Sequence, residues 1–245
     1  MFPNHAAYCG DIDLTGQRKP ISHYRSMLYN KDGEQLYMAV REPDGYLGKI
    51  HTTMWSVWPT YESWTWPGWE VKRIEVEVYT KEPNVSLYLN DRCVGLKLVN
   101  NQQTEYKTVF SVPYEPGILR AEAGGKSVSL STADEARTIR LTADRTTLKA
   151  DGQDLAFITV ELTDAQGIVN LTANNELTAS VSGSATLIGF GNADIKDCDR
   201  YTDSTHKAWK GRALLVVRST GKKGKATITV QGKGLKAARV NLSFL

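Results

Sequence analysis

The chain has 245 residues, 41% of them hydrophobic and 23% charged, with a net charge of +3. This is an ordinary globular composition, and the length suits one or two domains. No apolar run approaches the roughly 20 residues of a membrane-spanning helix, and Met1-Phe2-Pro3-Asn4-His5 has neither the basic nor the apolar region of a signal peptide. Three scattered cysteines, Cys9, Cys93 and Cys198, exclude a disulfide framework and, with no CxxC pair, argue against a structural zinc site. The charge is uneven. Residues 1–133 hold 14 basic and 15 acidic side chains, net −1; residues 134–245 hold 16 and 12, net +4.

In chain order, the first element is a helix over residues 20–29. Pro20 suits a first helical position, and Ile21, Tyr24 and Leu28 make one apolar stripe at i, i+3, i+7. One helix cannot bury such a stripe alone, so residues 1–30 read as the end of something larger. From Lys31 to about residue 133 the pattern is that of strands. Arg73-Ile74-Glu75-Val76-Glu77-Val78-Tyr79 alternates strictly, which predicts a half-buried strand with Ile74, Val76 and Val78 inward. Strands are also predicted at 85–89, 93–98, 106–112, 118–123 and 126–131, with Asn90-Asp91 and Gly124-Gly125 as hairpin turns. Residues 134–245 repeat the style, with strands predicted at 138–143, 157–163, 177–182, 214–219, 226–230 and 240–244 and a turn at Asp164-Ala165-Gln166-Gly167. Evenly spaced strands without helices indicate two β-sandwiches.

Three stretches carry a family resemblance. The first is Gly10-Asp11-Ile12-Asp13-Leu14-Thr15-Gly16-Gln17-Arg18-Lys19-Pro20 with His23-Tyr24-Arg25. The second is Trp64-Thr65-Trp66-Pro67-Gly68-Trp69-Glu70 with Val76-Glu77-Val78-Tyr79-Thr80 and Leu87-Tyr88-Leu89-Asn90. The third comprises Asp144, Ala150-Asp151-Gly152, Val160, Asp164, Gly167, Gly183, Gly189-Phe190-Gly191-Asn192 and Trp209-Lys210-Gly211. In order and spacing they resemble the C-terminal part of bacterial glycoside hydrolase family 2 enzymes of the β-galactosidase type. The resemblance implies a mainly β fold. A remnant of the last loop and helix of a (β/α)8 barrel would occupy 1–30, a first immunoglobulin-like sandwich 31–133, and a second 134–245. It also implies a parent enzyme that is periplasmic or secreted and hydrolyses β-galactosides or related glycosides with retention.

Such enzymes use two glutamates about 5–5.5 Å apart. In the family both sit on barrel strands that precede the closing helix, and a barrel needs at least roughly 200 residues. No catalytic residue is therefore expected among these residues. Asn175-Glu176 spells the family's acid/base dipeptide, but at the start of a sandwich strand, where a lone carboxylate has no partner. The function expected is accessory: bracing the barrel and shaping its sugar site. No cofactor, nucleic acid or membrane partner is expected.

The strongest candidate contact surface is aromatic. Trp55, Trp58, Tyr61, Trp64, Trp66 and Trp69 all fall between positions 55 and 69. Indole faces stack on the apolar face of a sugar, which suits oligosaccharide binding, and a stand-alone carbohydrate-binding module is one alternative function. The same rings also suit packing against the barrel, because aromatics are enriched at interfaces. A surface adhesion or spacer array is the second alternative. Ser204 to Leu245 lacks any acidic residue, but no aromatic interleaving accompanies its lysines, which read as edge protection. Asp194, Asp197, Asp199 and Asp203 could hold calcium, yet their spacing is not that of an EF-hand, and a solvated loop with no metal is expected. His23 and His51 read as hydrogen-bonded structural residues, and Gly189-Phe190-Gly191 is no dinucleotide fingerprint.

Overall fold

The computed structural model describes residue 4 and residues 9–30, 33–99 and 105–245. The stretch 1–5, read above as no signal peptide, lies outside them, Asn4 apart. The chain divides into two compact units, one running Ala7–Thr132 and the other covering Ala133–Leu245.

The first unit holds helix α1 (Pro20–Tyr29) and strands β1 (Leu36–Arg41), β2 (Thr60–Tyr61), β3 (Arg73–Thr80), β4 (Asn84–Leu89), β5 (Arg92–Leu98), β6 (Lys107–Pro113), β7 (Ile118–Ala123) and β8 (Lys126–Ser131). They form two four-stranded sheets, β2-β1-β3-β6 and β5-β4-β7-β8. Both sheets are antiparallel, and they share one core. Met38, Val40, Ile74, Val76, Val78, Phe110 and Val112 of the first sheet meet Val85, Leu87, Leu89, Leu119 and Ala121 of the second. The alternating strands at 84–89 and 118–123 each bury every second residue, as a sheet with one wet face must. Their hairpin turns follow from the residues available. Asn90 and Asp91 both take positive φ (49° and 61°), as do Gly124 and Gly125 (56° and 74°), the geometry a two-residue hairpin needs to match strand twist.

Two expectations change in this unit. β3 is not half-buried: Glu77 and Tyr79 on its second face are as hidden as Val76 and Val78. The cover is α1, whose fully buried Met27 packs with Tyr37, Ala39 and Tyr79, flanked by Tyr24. The docking face of α1 is thus His23, Tyr24 and Met27 rather than the stripe Ile21, Tyr24, Leu28. Ile21 and Leu28 lie on an adjoining flank and remain half-buried. The His23 ring stacks on Tyr37 at 4.1 Å and its Nδ1 meets the Glu34 carboxylate at 2.7 Å, while the Tyr24 hydroxyl donates to the Glu105 carbonyl at 2.7 Å. β1 was not expected. Leu36-Tyr37-Met38-Ala39-Val40 is a continuous apolar run, because β1 is buried on both faces between the core shared by the two sheets and α1, and such a run has no period to read.

The second unit holds β9 (Thr138–Ala143), β10 (Thr147–Leu148), β11 (Leu155–Thr163), β12 (Glu176–Gly183), β13 (Ala185–Gly191), β14 (Thr205–Lys207), β15 (Arg212–Ser219), β16 (Gly224–Gly232) and β17 (Ala238–Phe244). The sheets are β13-β15-β11-β9 and β10-β17-β16-β12-β14, all antiparallel except the short β10–β17 pair. Ile158, Val160, Phe190, Leu215 and Val217 of one sheet pack with Leu177, Ile228, Val230, Leu242 and Phe244 of the other. The predicted turn at 164–167 forms with Gly167 at φ 84°. Its Asp164 carboxylate is buried and accepts the backbone N–H groups of Gln166 and Ile168 on Oδ1 and of Asp134 on Oδ2. Strand β13, which the pattern did not suggest, carries Gly189-Phe190-Gly191 and a register shift between Leu187 and Gly189. The shift breaks the alternation that would have marked it.

Candidate carbohydrate-contact surface

The aromatic segment begins where β1 ends. Residues 42–59 run without regular structure from β1 to β2, which returns antiparallel with Val40 opposite Tyr61. Side chains close this long loop on itself. Trp58 Nε1 donates to the Glu42 carbonyl at 2.8 Å, and the Glu42 amide donates to the Pro59 carbonyl at 2.8 Å. Asp44 accepts the Ile50 amide on Oδ1 at 2.9 Å and pairs with Lys49. Backbone and Lys49 hydrogen bonds hold the Asp44 carboxyl below its usual range. At the far end, Ser56 accepts the Thr53 amide on Oγ and returns its own amide to the Thr53 carbonyl. Met54 and Trp55 ride on that turn, 88% and 77% exposed.

The six candidate residues therefore separate by depth. Trp64 and Trp66 lie in the core. Trp64 is fully buried, its Nε1 donates to the Glu115 carbonyl at 2.9 Å, and its ring meets Tyr114 edge-on at 5.1 Å. The Tyr114 hydroxyl accepts the Trp66 amide at 3.1 Å. Tyr46 packs edge-on against Trp66 and Trp69, at 5.3 and 6.0 Å between centroids, and burial pushes the Tyr46 hydroxyl pKa up. Trp58, Tyr61 and Trp69 are half-buried. Lys72 Nζ stands 4.3 Å over the Trp69 ring and occupies a face that a sugar would need. The turn at Trp66-Pro67-Gly68 is tight: the Trp69 amide donates to the Trp66 carbonyl at 3.1 Å and Gly68 takes φ 83°. Pro67 and Gly68 fit the central positions of a type II turn.

These placements correct one part of the sequence reading. Trp64 and Trp66 have almost no surface with which to touch an oligosaccharide, because the whole stretch 63–66 is buried and both rings join the core. Trp55 alone offers an open ring, with half-buried Trp58, Tyr61 and Trp69 behind it. Nothing in residue type distinguishes Trp55 from Trp64. Ser63 and Thr65 beside the two rings are buried as well, so residue alternation gives no signal of depth here.

The remaining sequence candidates are placed as follows. Glu176 is exposed at the start of β12 and stands opposite Lys207 of β14. Lys222, Lys223 and Lys225 are exposed around the β15–β16 turn, and Lys233, Lys236 and Arg239 are exposed beyond β16 and in β17. His51 is exposed, and His23, on α1, is held by Glu34. Among the described residues no helix is long and apolar enough to cross a membrane.

Comparison with known proteins agrees with the motifs. Residues 139–241 match the family model described as glycoside hydrolase family 2 C-terminal domain 5. Residues 71–129 match a domain of unknown function, DUF4982. The β-galactosidase BoGH2A of Bacteroides ovatus is 30% identical over 248 residues, which take in 99% of this chain and 26% of that protein. The chain belongs to the C-terminal region of glycoside hydrolase family 2. A crystal structure of a family 2 member from Bacteroides cellulosilyticus superposes with a TM-score of 0.92 at 33% identity, over 100% of this chain and 32% of that one. A β-glycosidase from Bacteroides vulgatus superposes with a TM-score of 0.82 at 25% identity. The chain thus spans about a quarter of the curated β-galactosidase and about a third of the first solved relative.

Proposed function

We propose that these residues are the non-catalytic C-terminal domains of a family 2 enzyme of the β-galactosidase type. In this reading the units Ala7–Thr132 and Ala133–Leu245 are two immunoglobulin-like sandwiches, and α1 with the loop before it is the closing element of a catalytic barrel. The observation that carries the proposal is the match itself. A β-galactosidase aligns over 99% of this chain while the chain covers 26% of it. The helix supports it. α1 is fastened to β1 and β3 by one face, and its adjoining flank of Ile21 and Leu28 stays partly open, as a strut between a sandwich and a larger neighbour requires. Trp55 on its exposed turn would then shape the rim of the sugar site.

The purified chain is expected to leave a nitrophenyl β-galactoside unhydrolysed, since retaining hydrolysis needs two carboxylates about 5–5.5 Å apart and Glu176 faces a lysine across the sheet. Turnover abolished by Glu176→Gln would defeat the accessory reading. Titration with galacto-oligosaccharides, followed by tryptophan fluorescence, is expected to show binding no tighter than millimolar, about 4 kcal/mol. One ring gives little area. Saturable micromolar binding that is lost on Trp55→Ala, with the melting temperature unchanged, would instead make the chain a carbohydrate-binding module.

A further inference from the structure

The acidic loop at 194–203 acquires a neighbour that the sequence does not announce. β14 pairs with β12 so that His206 stands opposite Leu177 and points into the second unit. Its side chain has no exposed surface. The imidazole nevertheless makes no hydrogen bond of ordinary length. Nε2 has no partner, and the contacts of Nδ1 are the Lys207 carbonyl at 3.3 Å, Asn192 Nδ2 at 3.4 Å and Asp197 Oδ2 at 3.5 Å. Ordinary N–H···O bonds run at about 2.7–3.2 Å, and a buried polar ring without one is costly. Phe190 and Tyr201 flank the ring, at 5.7 and 6.2 Å between centroids.

Its nitrogen edge meets carboxylates. Asp197, Asp199 and His206 each bring one ligand atom within 4.8 Å of the other two. Asp197 is fixed in place: Oδ2 accepts from Asn192 Nδ2 at 2.6 Å and Oδ1 accepts the Asp199 amide at 2.9 Å. Asn192 is fixed in turn, donating to the Lys207 carbonyl at 2.9 Å and accepting the Asp194 amide at 2.8 Å. No cation pairs with the exposed Asp199 carboxylate among the described residues, so the cluster opens to solvent on that side.

We propose that Asp197, Asp199 and His206 form a binding site for a divalent transition-metal ion of the zinc type. The buried imidazole is the second observation that lifts this cluster above an acidic loop. Calcium and magnesium take oxygen ligands and have no use for it, whereas imidazole with carboxylates suits zinc. The spacing fits. Ligands at the usual 2.0–2.1 Å from a tetrahedral zinc stand about 3.3–3.4 Å apart, close to the 3.5 Å between His206 Nδ1 and Asp197 Oδ2. The ion would take Asp197 and His206 from the interior, Asp199 from the loop, and water at the open position. It would tie the loop to β14.

The full chain, stripped with a chelator and titrated with zinc by calorimetry at neutral pH, is expected to bind one equivalent with micromolar or tighter affinity and to melt at a higher temperature when loaded. Asp199→Asn removes a carboxylate that holds nothing else, so the metal-free variant should melt as the parent does but bind zinc at least about tenfold more weakly, one missing ligand costing on the order of 1.4 kcal/mol or more. His206→Gln should also lose binding. Cys198→Ser, in the same loop but outside the cluster, should keep it. The proposal fails if no stoichiometric binding is found, or if Asp199→Asn binds as the parent does. It fails equally if only Cys198→Ser abolishes binding, or if equimolar calcium displaces the zinc.

Discussion

Replacement of Trp64 by alanine is expected to destabilise the unit Ala7–Thr132 by about 3–5 kcal/mol, the cost of removing a buried indole. The ring is fully enclosed, and its Nε1 satisfies the Glu115 carbonyl. Its loss opens a void beside Tyr114 and leaves that carbonyl without its donor. The backbone suffers as well, since Thr132 Oγ1 donates to the Trp64 carbonyl at 2.7 Å and also accepts the Gly117 amide at 3.0 Å. Trp55→Ala, nine residues earlier, removes an exposed ring and should change stability by no more than about 0.5 kcal/mol. Urea unfolding followed by circular dichroism compares the two. Equal effects would mean that the depth separation of the aromatic segment is wrong. The pair also separates packing from recognition, because only Trp55 can report on a bound sugar.

Glu77→Gln is expected to cost about 2–4 kcal/mol at neutral pH. Removing one partner of a buried ion pair costs about 3–5 kcal/mol, and the lower figure reflects the water that still reaches Arg41 and Lys107. The Glu77 carboxylate is 3% exposed on β3. Oε1 accepts Arg41 Nε at 2.5 Å and pairs with Lys107 Nζ at 2.9 Å, while Oε2 accepts the Tyr79 hydroxyl at 2.5 Å. Burial alone would push the carboxyl pKa up. The Tyr79 hydroxyl, Lys107 and Arg41 outweigh it and hold the group below its ordinary value of 4.5. The same neighbourhood acts in reverse on Tyr79, whose pKa is raised by burial and then by the Glu77 charge.

A carboxyl whose folded pKa lies below its unfolded one stabilises the fold fully above the unfolded value, and that contribution disappears as pH falls through the folded value. The difference in melting temperature between parent and Glu77→Gln should therefore be level from pH 7 to about 5. It should shrink steadily below the unfolded value near 4.5. A gap that persists unchanged to pH 3 would show that the ion cluster contributes nothing through its charge. The effect should reach α1 first, because Tyr79 lies beneath Tyr24 and Met27.

Sequence alone determined the class of fold and most of its strands. Where a strand has one wet face, as at 84–89 and 118–123, alternation writes the structure directly into residue order, and the two hairpin turns need residues that tolerate positive φ. The resemblance to family 2 rested on the same legible positions. What escaped were elements whose surroundings are supplied by distant chain. β1 lost its period because α1 covers its outer face, and β13 lost it to a register shift. The docked face of α1 departs from its apolar stripe because Tyr37 and Tyr79 pack on Met27 rather than Leu28. Within the aromatic segment, residue type promised six similar rings, and only tertiary packing decided that Trp64 and Trp66 go inside while Trp55 stays out. His206 is the furthest case. Nothing in the order of residues marks it as belonging to the acidic loop. Pairing of β14 with β12 carries its imidazole under the sheet and against Asp197, since a three-residue strand inherits its inward side from the partner it joins.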